Sequence, residues 1–149
     1  MKKLLMIVAA MLAITATAKP YRAINKPLTE KEVVASTLWM EARGEGKDGI
    51  EAVASVIANR AAKSRKPLKA VCLAPYQFSC WNKRQTTIPS NAKGTVWDFC
   101  LATADKMVKG KFKTTLDATH YYCHRTCNPS WGKKLKGRKI IGRHTFGRV

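Results

Sequence analysis

The chain has 149 residues, room for one domain with a modest core. Lys and Arg number 28 against 9 Asp and Glu, a net charge of +19 that points to an anionic partner. Nucleic acid, anionic lipid headgroups and anionic cell-wall polymer all qualify, and the chain's first residues remove nucleic acid from that set.

Those residues read "MKKLLMIVAAMLAITATAKP": two lysines, an apolar run from Leu4 to Ile14, and Ala16-Thr17-Ala18 as an A-x-A cleavage pattern. The expectation is a signal peptide over 1–18 and an exported protein in the periplasm, envelope or medium. A buried N-terminal helix and a releasable anchor are the alternatives. The run is short for a transmembrane helix. Loss of the leader removes Lys2 and Lys3 and leaves +17. An exported basic protein is not a gene regulator, and no nucleic-acid-binding motif is present. Five cysteines agree with export and leave one over. Cys72 with Cys80, and Cys123 with Cys127, each flank a short loop, so two local disulfides are expected in an oxidising compartment. Cys100 reads as a buried thiol, and other pairings fit equally well.

Residues 19–28 form a basic, proline-containing linker, and 29–149 the single domain. Thr29-Glu30-Lys31-Glu32 is a capping box that starts a helix through Val33, Val34, Thr37 and Leu38, with Gly44 and Gly46 as its end. A second helix is expected from about Lys47 to Lys63, with Ile50, Val53, Ala54, Ile57, Ala58 and Ala61 at helical spacing. Leu68 to Cys72 fits one short turn, broken by Pro75. "YQFSCWN", residues 76–82, reads as a short strand or a binding loop. A further helix fits Thr95 to Val108, with Val96, Phe99, Cys100, Thr103, Ala104 and Met107 on one side and Gly110 as terminator. "ATHYYCHRTCNPSW" and "KIIGRHTF" read as loops and short extended segments. The fold class is mainly α (α+β), with a small irregular or β portion.

Glu41 lies on the same helix face as Val34 and Leu38. A carboxyl group on an apolar stripe loses hydration, which favours its protonated form and suits it to proton donation. The plainer reading is an ion pair with Arg43 or Arg60. Glu45, Asp48 and Glu51 compete for the catalytic role: Glu45 lies between two glycines, Asp48 in the first turn of the second helix, and Glu51 on that helix's polar side.

"WMEARGEGKDGIEAVASVIANR" resembles the SleB-type cell wall hydrolases, which include spore-cortex-lytic enzymes. Further matching blocks follow in order: "QFSCW" at 77–81, "ATHYY" at 118–122, "PSW" at 129–131 and "IGRHTF" at 141–146. The resemblance spans roughly residues 33–146. It implies a lysozyme-like single domain that cuts the glycan strands of peptidoglycan, with Glu41 as the catalytic glutamate. Many members are described as lytic transglycosylases and some as amidases. On the same footing Gln77, Phe78, Ser79 and Trp81 are candidates to line a sugar groove, with His120, Tyr121 and Tyr122 beside them; for Phe78, Trp81 and the tyrosines, buried packing is the plainer reading. In one respect the chain departs from the family: "CHRTC" precedes Asn128-Pro129, a longer loop than usual.

Glycoside hydrolysis ordinarily needs two carboxylates, whereas a lytic transglycosylase works with one. With nine acidic residues and only Glu41 on an apolar face, the sequence favours the single-acid mechanism. A hydrolytic muramidase or an amidase is the alternative. No cofactor and no metal are expected. His120, Cys123, His124, Cys127 and His144 do not follow a standard zinc spacing. A Cys-His peptidase and a non-catalytic envelope-binding module are the remaining classes; the basic stretch "GKKLKGRKIIGRH" would suit anionic envelope polymers. The expected state is a monomer.

Overall fold

A computed structural model describes residues 27–82 and 87–149. The expected leader and the lead-in as far as residue 26 lie outside the described residues. Four helices are followed by a small sheet: α1 (Glu30–Ala42), α2 (Gly46–Ser64), α3 (Leu68–Leu73), α4 (Gly94–Val108), β1 (His120–Cys123), β2 (Lys136–Ile141) and β3 (His144–Arg148). The class is α+β, as expected.

The Thr29 capping box forms in full: Glu32 N–H donates to Thr29 Oγ1 at 3.2 Å, and Thr29 N–H donates to Glu32 Oε2 at 2.7 Å. α1 is the central helix and touches α2, α3 and α4. Val34, Ala35 and Leu38 are completely buried in it. On the α4 side Trp39 meets Trp97 edge to face, centroids 6.0 Å apart. The alanines of α2 let it approach closely: Ala52, Val53, Ala54, Val56 and Ile57 are fully buried. On α4 the buried residues are Cys100, Thr103, Ala104 and Met107, while Val96 and Phe99 are partly covered.

"YQFSCWN" is neither strand nor open loop: a turn leads into a single 3-10 turn at Ser79–Trp81. The C-terminal segments are more regular than expected. They form a three-stranded antiparallel sheet in the order β1-β3-β2, with a register irregularity between Lys136 and Lys139. β3 is its centre and buries Phe146 against the helical core.

The C-terminal part of α2 fixes where β1 begins. Asn59 Nδ2 donates to the carbonyls of Leu116 and Ala118, and Arg60 Nε donates to that of Thr119. Each such bond stabilises by about 1 kcal/mol net. Together they hold the chain entering β1 against α2, which aims the β1 side chains back towards α1. Among the described residues no helix is long and apolar enough to cross a membrane.

Candidate active site

Glu41 sits in the last turn of α1, where the apolar stripe of Val34 and Leu38 runs out into a cavity of about 560 Å³. It is half-buried there. Neither Arg43 nor Arg60 forms an ion pair with it: Arg43 turns to the Met40 carbonyl and over the Trp39 ring, and Arg60 lies over Phe78. Its partner comes from the sheet. Tyr121 Oη donates to Glu41 Oε2 at 2.7 Å.

Tyr121 is held on several sides. Its register partner on β3 is Phe146, which stacks on it at 5.3 Å; His144 meets it edge-on at 5.2 Å, and Phe78 lies at 6.5 Å. Burial, and then the Glu41 charge, raise the phenol well above its ordinary pKa. The hydroxyl therefore stays protonated and donates to Glu41. The Cys80 thiol also faces Glu41; burial and that neighbouring charge raise it above the ordinary thiol range. It is a neutral neighbour, not a thiolate nucleophile. Burial pushes the His144 imidazole below its ordinary value against the pull of Glu45 and Glu41.

Of the residues singled out from the sequence, Gln77, Ser79, His120, Tyr121 and Tyr122 line the cavity together with Glu41. Phe78 and Trp81 do not. Phe78 is buried beneath Arg60 and Tyr121. Trp81 donates its Nε1 proton to Thr37 Oγ1 at 2.9 Å and so anchors the 3-10 turn to α1. His120 Nδ1 bonds to Thr119 Oγ1, and both His120 and Tyr122 pack on Trp131.

The cavity also contains residues that the sequence did not single out. His144 lies within the "IGRHTF" block and was weighed there only as a metal ligand, not as a groove residue. Trp131 lies in "PSW" and lines the cavity beside His120 and Tyr122. Tyr76 stands at the mouth, 88% exposed and in the left-handed backbone region at φ 60°. An aromatic ring held out in that way covers little of its own core and is free to stack on a ligand.

The competing carboxylates have other occupations. Glu45 has a side chain only 2% exposed and clamped by Arg143 through the backbone N–H (2.8 Å), Nε (2.7 Å) and Nη2 (2.6 Å). Burial works to raise this carboxyl, but the Arg143 hydrogen bonds and the His144 charge outweigh it and hold it below the ordinary range. Gly142 makes the clamp possible: its φ is +56°, and a Cβ there would collide with Glu45 Oε2. Asp48 and Glu51 line a separate cavity. Glu32 caps α1, and Glu30 accepts from Lys69 N–H. Asp105 pairs with Lys31 and Lys109, Asp117 pairs with Arg148, and Asp98 is exposed on α4. All nine acidic residues of the chain are among the described residues, and only Glu41 lines this cavity.

The five cysteines are free thiols, so neither of the expected pairs is joined here. Burial pushes the Cys72 and Cys100 thiols up to about 12. Cys127 N–H closes a turn onto the Cys123 carbonyl at 2.9 Å, which shapes the "CHRTC" loop without a cross-link. Among the described residues no three His, Cys, Asp or Glu side chains gather as a metal site.

A carboxyl group held by a buried phenol on the wall of an aromatic-lined cavity can give a proton to a bound molecule and take one back. That is acid–base enzyme chemistry. Residues 44–147 match the family model described as Cell Wall Hydrolase, and the chain belongs to that family. Its substrate class is accordingly the peptidoglycan of the cell wall. Glu41 precedes the matched span by three residues. Among solved structures the chain is similar to the catalytic domain of the germination-specific lytic transglycosylase SleB from Bacillus anthracis, at TM-score 0.62 and 24% identity over 79% of this chain and 93% of that one. It is likewise similar to the catalytic domain of the Bacillus cereus SleB protein, at TM-score 0.58 and 25% identity over 79% of this chain and 88% of that one. No curated protein matches the chain at a significant level.

Proposed function

We propose that the protein cleaves the MurNAc-GlcNAc glycan strand of peptidoglycan as a lytic transglycosylase, with Glu41 as both general acid and general base. The observation that carries this reading is the solitary carboxylate of the cavity. Hydrolytic glycosidases need a second one, as nucleophile or as base for water. With every other acidic side chain engaged or elsewhere, the one-carboxylate route remains. Glu41 gives its proton to the glycosidic oxygen as the bond to the muramic anomeric carbon breaks. The resulting carboxylate takes the proton of the muramic 6-hydroxyl, whose oxygen closes onto that carbon. The product is a 1,6-anhydro sugar, no water is consumed, and Glu41 is again protonated.

Tyr121 is the positioning residue for Glu41, and Gln77, Ser79, His120 and Tyr122 are the groove residues nearest the reacting bond. The same proposal has the protein exported through its leader and acting as a monomer. The outward-facing β2, with Lys136, Arg138 and Lys139, would keep it near anionic envelope polymers. In an oxidising compartment the proposal includes closure of Cys72 with Cys80 and Cys123 with Cys127. The mass of the exported protein, alkylated in denaturant before and after reduction, tests it, and five free thiols before reduction would refute it.

The function itself is tested by digesting purified peptidoglycan with the natural protein and with Glu41→Gln, then weighing the fragments. Anhydro-muropeptides are expected from the natural protein and not from the variant. Cleaved stem peptides would instead mean an amidase, and bound but intact glycan a binding module.

A further inference from the structure

The cavity at Glu41 continues past His120 into a second one of about 440 Å³, and Arg60, Gln77 and His120 line both. The second cavity adds Lys63 and Lys66, and no acidic side chain lines it. Arg60 is held rigidly at the junction. Its Nε donates to the Thr119 carbonyl at 2.6 Å, and its guanidinium lies 5.5 Å over the Phe78 ring. Nη1 is buried and finds no hydrogen-bond partner among the described residues. No salt bridge satisfies it either, since none of the nine carboxylates reaches it.

A buried guanidinium atom without a partner is costly, because an arginine stays charged at any physiological pH. Folding tolerates it here because the group is fixed on one edge by a carbonyl and on one face by a ring. The Arg60 side chain lines both cavities at their junction, and so places a fixed positive charge beside any molecule bound there. The complement of that planar fork is a carboxylate, and two further cations along the same wall add to the field.

We infer that Arg60, extended by Lys63 and Lys66, forms a carboxylate-binding subsite adjoining the cleavage cavity, which selects glycan carrying acidic substituents over neutral glycan. This rests on the glycan-cleaving reading above. Peptidoglycan offers two sources of that carboxylate. One is the lactyl group of a muramic acid stripped of its peptide. The other is the peptide stem itself.

Binding tests the subsite without requiring cleavage. N-acetylmuramic acid, its methyl ester, and N-acetylmuramyl-L-alanyl-D-glutamate are titrated by calorimetry or NMR into the full chain and into Arg60→Met, which keeps the apolar stem. The natural protein should bind at least one of the two acids about tenfold more tightly than the ester, and Arg60→Met should lose that preference. The tighter of the two acids identifies the source. Equal affinity for acids and ester, no binding of any of them, or a preference that survives in Arg60→Met overturns the inference. Should Arg60→Met fail to fold, the paired surface change Lys63→Gln with Lys66→Gln decides: the acid preference should fall about threefold, and an unchanged preference overturns the inference. Selective acid binding by a protein that never cuts glycan would keep the subsite and sink the cleavage proposal. Cutting without acid selectivity would do the reverse.

Discussion

α1 and α2 each bury eight residues, whereas β2 leaves five of its six exposed. The helical half holds the structure and carries Glu41. The sheet is thinly covered and supplies the hydroxyl that holds Glu41, with further cavity side chains beside it: Tyr121, His120 and Tyr122 from β1 and His144 from β3. The difference teaches where change is tolerated. Loss of a core contact in the helices should be read out as stability, while loss of a sheet side chain at the cavity should be read out as rate or affinity.

Several substitutions can break or sharpen that contrast. Glu41→Gln should lower glycan cleavage by about 1,000-fold with little change in melting temperature, because only the proton carrier is lost. Tyr121→Phe keeps the ring that packs on Phe146 and removes the hydroxyl that orients Glu41. A roughly tenfold fall in kcat at nearly constant KM is expected, and an unchanged rate would show that Glu41 needs no partner. Tyr76→Ala should act on affinity instead, raising KM about fivefold through the lost exposed ring and leaving the fold intact.

Glu45→Gln tests the clamp between the α1–α2 turn and the β2–β3 turn. It should cost about 2 kcal/mol at neutral pH, since Arg143 loses the charge of a nearly buried partner. The pH dependence has a definite sign. The folded carboxyl is held below its ordinary value of 4.5, so its stabilisation is full above that pH and disappears as pH falls through the lower folded value. Denaturation of natural and variant protein should therefore converge below about pH 4.5, and a constant gap would refute the clamp. The smallest effect belongs to Trp81→Phe, about 1 kcal/mol of stability from one lost hydrogen bond to Thr37, with cleavage largely retained.

α2 and α4 were legible because their apolar residues recur at helical spacing, whereas α1, which buries seven consecutive residues from Val33 to Trp39, was legible from its start and stop signals. Thr29 with Glu32 needed no tertiary information, whereas the burial of α1 on all sides, rather than along one stripe, did. The sheet was not legible in the same way. β2 is "KGRKII", nearly all exposed, so it carries no alternation of apolar and polar residues. β3 buries three consecutive residues, Thr145, Phe146 and Gly147, for the same lack of alternation. Glu41 stood out as a carboxylate on an apolar face, but its partner, 80 positions away, is a product of tertiary structure. "QFSCW" drew attention as a block, yet only its polar residues Gln77 and Ser79 reach the cavity; its large aromatic residues turned inward because burial is where they stabilise most. Tyr76 escaped notice because its exposure comes from a left-handed backbone that no residue pattern announces.

On the proposed route one carboxylate suffices. Digestion of peptidoglycan in heavy-oxygen water tests it most directly, because a transglycosylase takes no atom from solvent. Anhydro-muropeptides without heavy oxygen are the predicted product. Reducing-end muropeptides carrying one heavy oxygen at the anomeric position would contradict the account and require a second base that activates water.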